Sequence, residues 1–297
     1  MKKFLLAIAM VFSIVPSAFA WVPDKPITVV IGWPGGSQNE AVFREVAEIV
    51  KRNNPGVEFI LSYRPGVENL LANNYLVTLP PNGLQVGVPS MAVTIITHDL
   101  WNSDVKRYSW ENCSVPVVLG ETYLALIASP DSKVNTLVEF IAYLKTSRLP
   151  INVATAGGSA LLAYSNLPIK NPMVSEIRYK TSAETAMAVA SKQTEFGITA
   201  IGVVTELAKA GKLKIIATSD NTGSHEFRVS NGFMLMLPPG TPADIVEWYE
   251  NEFGRAIQEP SYQQWAQANN ISVNTTLRRD INVKRYLYSY KNKFTPK

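Results

Sequence analysis

Short apolar runs rich in branched residues recur along the chain at Ile27–Trp33, Val57–Ser62, Leu84–Val88, Tyr123–Ala128, Ile151–Thr155, Phe196–Ile201 and Leu213–Thr218. Between several of them the apolar spacing is helical. Val42, Val46, Ile49 and Val50 share one helix face, and Leu137, Phe140, Ile141 and Leu144 share another. This alternation predicts an α/β fold with largely parallel sheets flanked by helices.

The helix starts recur in one form. Ser37 and Glu40, Thr136 and Glu139, and Thr181 and Glu184 each place a hydroxyl three residues before a carboxylate, and Thr241-Pro242-x-Asp244 adds proline at the first helical position. The first of these boxes closes the turn Trp33-Pro34-Gly35-Gly36. The turn either leaves helix amides free to meet an anion or satisfies them with its own side chains.

Lys2 and Lys3 precede an apolar run from Phe4 to Val15 and the small-residue exit Pro16 to Ala20, the order of a secretory leader cleaved after Ala20. That run falls well short of the roughly 20 apolar residues of a membrane span, and no later segment is long and apolar enough to be one. The expected product starts at Trp21, exported and free in a periplasm. Cys113, the only cysteine, has no internal disulfide partner.

Removing Lys2 and Lys3 takes the formal charge from +4 to +2, since 4 − 2 = 2, so global charge names no partner. The basic tail "LRRDINVKRYLYSYKNKFTPK" interleaves aromatics with cations. Tyr286 and Tyr290 stand one helical turn apart, and a solvated final helix with tyrosines turned inward is expected rather than a nucleic-acid surface. The stretches "ETYLALIASPDS" and "SDNTGSHEFRVSNGF" are expected crossings between two lobes, residues 21–122 with 230–297 forming one and 123–229 the other.

Catalytic options are thin. His98 and His225 are expected in exposed settings, with no second ligand at metal spacing, so no metal or cofactor is expected. There is no Gly-x-Ser-x-Gly elbow and no phosphate-binding glycine signature, and Cys113 reads as a small buried residue. What remains are glycine- and hydroxyl-rich loops, "WPGGSQN", "ATAGGSA" and "RYKTSAE", at strand ends or helix starts. Such loops suit a small anion.

The segments "KPITVVIGWPGGSQNEAVFR", "YRPGVEN", "LPPNGLQVGVPS", "VNTLVEFIAYLK", "YKTSAETA", "KAGKLKIIATS" and "PPGTPADIVEWYENEFGRAIQEP" together resemble the substrate-binding receptors of tripartite tricarboxylate transporters, also known as Bug receptors. The likeness spans almost the whole chain after the leader. It implies a two-lobed type II periplasmic binding protein, each lobe a mostly parallel sheet flanked by helices, closing over a small organic carboxylate. It also implies delivery to a permease of one large and one small membrane subunit. A monomer is expected. The implied ligand-binding residues are Trp33, Gly36, Ser37, Gln38 and Asn39 in the first turn, Asn69 and Ser90 in the next two segments, Thr155, Gly158 and Ser159 in the glycine-serine loop, and Tyr179, Ser182 and Thr199. A ligand-dependent signalling partner of a sensor and a periplasmic enzyme are the alternative functions.

Three departures from the family pattern stand out. Gly35-Gly36-Ser37-Gln38-Asn39-Glu40 replaces Ala-Gly-Gly-Gly-Thr-Asp, adding Gln38 and Asn39, whose amides have no evident structural duty. Pro65-Gly66-Val67-Glu68-Asn69-Leu70 replaces Pro-Gly-Ala-Gly-Gly-Asn, and Glu68 either points to solvent or selects a ligand with a donor. Thr199 stands where many relatives carry an acid suited to an ammonium, which argues against an amino-acid ligand; threonine there also suits a strand.

Overall fold

A computed structural model describes residues 21–220 and 227–295; the leader and His225 lie outside the described residues. The chain begins β1 (Ile27–Ile31), α1 (Gln38–Asn53), β2 (Phe59–Tyr63), α2 (Leu70–Leu76), β3 (Gln85–Gly87), then a π-helical turn (Val93–Thr97) running into α3 (His98–Trp101). It continues β4 (Val118–Ala128), α4 (Leu137–Thr146), β5 (Ile151–Ala156), α5 (Gly157–Ser165), β6 (Val174–Tyr179), α6 (Ser182–Ala190), β7 (Phe196–Ala200), α7 (Ile201–Lys209) and β8 (Lys214–Thr218). The last elements are β9 (Ser230–Met234), α8 (Ala243–Ala256), α9 (Pro260–Ala268), β10 (Ile271–Ser272) and α10 (Asp280–Phe294).

Every predicted apolar run carries a strand. Two sheets result. The first, in the order β2-β1-β3, is wholly parallel, with Val29 opposite both Leu61 and Val86. In the second, β5 runs parallel to β6 and β7, whereas β4 is antiparallel to β7, β8, β9 and β10. β4 explains the mixture. Val118 to Tyr123 pair with β9, and Leu124 to Ala128 pair with β7, so one long strand serves both ends of the sheet.

β6, β9 and the two-residue β10 lie outside the predicted runs. β6 alternates Ser175, Glu176 and Arg178 with Val174 and Ile177 and pairs with β5 alone, an edge where charge is tolerated. β9 carries Gly232, against which Met91 packs so closely that an added Cβ would meet its Sδ at 3.0 Å.

Helix α1 turns Val42, Phe43, Val46 and Val50 onto the first sheet's core, each such burial contributing roughly 1.5–3 kcal/mol. The largest apolar cluster joins Leu70, Met91 and Trp110 to Phe140, Phe196 and Ile198, so apolar packing is continuous between the two sheets. Helix α10 lies with Tyr290 buried, donating to the Ser230 carbonyl (2.5 Å), and Tyr286 donating to Glu121 Oε1 (2.8 Å). Tyr286 and Tyr290 thus face inward, while Tyr288 is exposed and Lys291 reaches Asp99 and Glu111.

The capping boxes close at three helices. Ser37 Oγ accepts from Glu40 N–H (3.4 Å), Thr136 Oγ1 from Glu139 N–H (3.2 Å) and Thr181 Oγ1 from Glu184 N–H (3.1 Å). The expected box at α8 does not form: Pro242 takes the cap position, and Thr241 donates back to the Pro238 carbonyl (2.7 Å). A hydroxyl bonded to its own turn is lost to the helix.

Candidate functional site

Turns from both sheets meet around a cleft of about 640 Å³. The β1–α1 turn contributes Trp33, Gly36, Ser37, Gln38 and Asn39. Ser90 comes from beyond β3, Gly158 and Ser159 from the first turn of α5, and Ser182 from the start of α6. Four expected residues stand outside this lining, each with its group engaged elsewhere. Thr155 donates to Glu176 Oε1 (2.5 Å), Thr199 donates to the Ser182 carbonyl (3.1 Å), Asn69 donates to Asn73 Oδ1 (2.9 Å), and Tyr179 packs on a core cluster. Alternation along β5 and β7 decides the two threonines, since a strand aims neighbouring side chains at opposite faces.

The helix ends around the cleft differ. At α1 the box is reciprocal, with Gly36 N–H donating to Glu40 Oε2 (2.8 Å), and at α6 Lys180 N–H donates to Glu184 Oε2 (2.9 Å). Those two ends satisfy amides internally. α5 and α7 have Ala156 and Ala200 at their caps with no side-chain cap bond, and both termini border the cleft. No cap side chain takes up their first amides, so these ends and their dipoles suit a negative group, and at α5 the Glu68 carboxylate already lies against Gly158. Gly157, at φ +78°, lets β5 turn directly into α5.

Further donors point to the same space. The Ser159 hydroxyl has no hydrogen-bond partner among the described residues, and the indole N–H of Trp33, a lining residue, is buried without one. Lys180 is the one charged residue of the lining among the described residues. It was passed over in the sequence because a lysine before a capped helix resembles an ordinary solvated residue. Asn231, on β9, also lines the cleft with an unpaired Oδ1. It was missed with its strand.

The lining holds no aspartate, glutamate, histidine or cysteine among the described residues. His98, expected to be exposed, is fully buried. Desolvation pulls its pKa down to about 4, so the ring is neutral, with Nε2 3.1 Å from the Glu68 carbonyl oxygen and Nδ1 2.7 Å from the Tyr108 hydroxyl, which also reaches the Thr94 carbonyl (2.9 Å). Cys113 is buried, and burial pushes its thiol up to about 12. Neither group is placed for catalysis.

The family described as "Tripartite tricarboxylate transporter family receptor" matches residues 42–284. The chain belongs to this receptor family. Its receptors are periplasmic binding proteins for small solutes. The chain is 23% identical over 261 residues to the UPF0065 protein of the gbd 5′ region of Cupriavidus necator, covering 82% of this chain and 77% of that one. Among solved structures, it is similar to MatC of Rhodopseudomonas palustris with bound malate (TM-score 0.76, 18% identity, 92% of this chain and 98% of that one). It is also similar to Rpa4515 of R. palustris with adipate (TM-score 0.77, 14% identity, 91% and 95%). These likenesses show the type II binding-protein fold.

Within the receptor, the two added amides of the first turn separate. Asn39 is buried, and its Nδ2 donates to the Val88 carbonyl (2.9 Å) and to Ser90 Oγ (3.3 Å), a structural duty that ties α1 to the exit of β3. Asn39→Ala should lower stability by about 1–3 kcal/mol in urea titration, because Val88 loses a buried partner; an unchanged midpoint would remove that role. Gln38 makes no side-chain hydrogen bond among the described residues and stays open to the cleft. Glu68 does not point to solvent. Its Oε2 is buried without a hydrogen-bond partner, close against Gly158.

Proposed function

We propose that the receptor captures a small organic carboxylate without an amino group and delivers it to a permease of one large and one small membrane subunit. The contrast among helix ends carries this reading. The start of α5, whose cap residue Ala156 offers no side-chain bond, with the uncommitted Ser159 hydroxyl, offers backbone and side-chain donors to a carboxylate, and Thr199, bonded to the Ser182 carbonyl, supplies no acid to pair with an ammonium. Malate and adipate, seen in the two R. palustris structures, are acids of this kind. No covalent chemistry follows from such a lining. The ligand acts by bridging residues 21–122 with 230–297 to residues 123–229, the two lobes, and so favours the closed form. A leader removed after Ala20 would place the mature monomer in the periplasm, starting at Trp21, which packs edge-on against Trp248 at 5.4 Å.

A thermal-shift screen of mono-, di- and tricarboxylates, aromatic acids, glutamate and aspartate tests the proposal. An acid at a hundredfold its Kd adds about 2.7 kcal/mol of stability. No stabilising acid, or glutamate or aspartate as the best, would sink it. Ser159→Ala should weaken binding about tenfold in calorimetry, the loss of one charge-assisted bond; equal affinity would take Ser159 out of the site.

A further inference from the structure

Residues 67–69 hold three consecutive left-handed backbones, Val67 at φ +44°, Glu68 at +51° and Asn69 at +76°. Such a conformation is rare outside glycine and an outlier for a β-branched valine, so it persists only where surroundings impose it. Two contacts do so. His98 Nε2–H holds the Glu68 carbonyl, and Asn69 is wedged against Gly32, where an added Cβ would fall 1.7 Å from Asn69 Oδ1. The result is directional: Glu68 reaches from the first sheet's side to the start of α5, where a Cβ on Gly158 would lie 2.5 Å from its Oε2.

We infer that Glu68 selects the ligand by charge, its carboxylate, which lies against Gly158 without an ion-pair partner among the described residues, sharing the α5 terminus with the bound anion and favouring monoanionic over dianionic and trianionic acids. The inference rests on the proposed carboxylate site and names the substrate class within it. Glu68 forms no ion pair among the described residues. Of the charged groups facing it, Arg178 is already committed to Glu176 (Nε to Oε2, 3.0 Å), both on β6, and the His98 ring is neutral. A half-buried like charge repels an incoming anion with less screening than an exposed one, whereas the opposing pull of Lys180 comes from an exposed side chain and is largely screened. Each additional negative charge on the ligand meets that repulsion again. Burial also holds the Glu68 carboxyl above the ordinary carboxylate range, with Arg178 pulling the other way.

Hexanoate and adipate, matched in length and differing by one carboxylate, are the probes, titrated by calorimetry into the mature protein and its E68Q variant at pH 7.5. E68Q should improve adipate affinity relative to hexanoate at least tenfold. Should E68Q fold poorly by melting temperature, E68G removes the same charge, suits the left-handed backbone and must move the ratio the same way. The same adipate-to-hexanoate ratio in wild type and variant overturns the inference and leaves the carboxylate site standing. No binding of either acid by any of the proteins, with no other acid of the thermal-shift panel binding, overturns both.

Discussion

Gly158→Ala should lower ligand affinity a hundredfold or more while the unliganded protein keeps its fold. The added methyl would sit 2.9 Å from Thr97 Cγ2 and 2.9 Å from Val93 Cγ2 as well as 2.5 Å from Glu68 Oε2. A glutamate end can swing away, but Val93 and Thr97 are β-branched and lie in the fully buried π-helical turn, so their methyl groups have little room. Relief comes from moving α5 away from that turn, which separates the two sides of the cleft. A hundredfold loss corresponds to about 2.7 kcal/mol, within the usual cost of overpacking. Calorimetry with the best acid of the panel, beside the melting temperature without ligand, is the measurement. Wild-type affinity in the variant would mean that this contact is not part of the bound state.

The second large effect is on stability in acid. His98 has a folded-state pKa of about 4 against an ordinary value near 6.5. Above pH 6.5 the ring is neutral in both states. Between about 6.5 and 4 the unfolded chain takes up a proton that the folded one refuses, so stability falls as pH falls, and the loss is complete below about 4. The difference amounts to about 3 kcal/mol. His98→Gln keeps a donor for the Glu68 carbonyl and a polar partner for the Tyr108 hydroxyl but does not titrate. Urea unfolding at pH 7 and pH 4.5 should therefore show a smaller acid loss in the variant, by roughly 2–3 kcal/mol; equal losses in both proteins would place the buried proton elsewhere.

Much of the architecture was legible because its signals are local. The apolar runs that became β1, β2, β3, β5, β7 and β8 are continuous stretches of branched residues, and the faces of α1 and α4 repeat at helical spacing. β6 escaped because Glu176 and Arg178 give it the composition of a surface loop, and β9 because Asn231 and Gly232 interrupt its apolar character. The candidate site was partly legible for the same reason. Turns that follow strands announce themselves by glycine and hydroxyl residues, which is how Ser37, Gly158 and Ser159 came to notice and why Lys180 and Asn231 did not.

Within the chain, the amino-acid order alone determined what depends on neighbours a few residues apart: the elements, the capping boxes at Ser37, Thr136 and Thr181, and the family pattern. The tertiary structure decided which of those features remain available to a ligand. Asn39 looks free in sequence but meets Val88, 49 positions later; Thr155 looks like a ligand residue but meets Glu176 on the neighbouring strand; and Glu68 reaches Gly158 across the meeting of two sheets. A hydrogen-bonding group satisfies whatever partner packing brings to it. Local order fixes its backbone, while the partner, and so the freedom to bind anything else, depends on contacts between distant segments that no local pattern records.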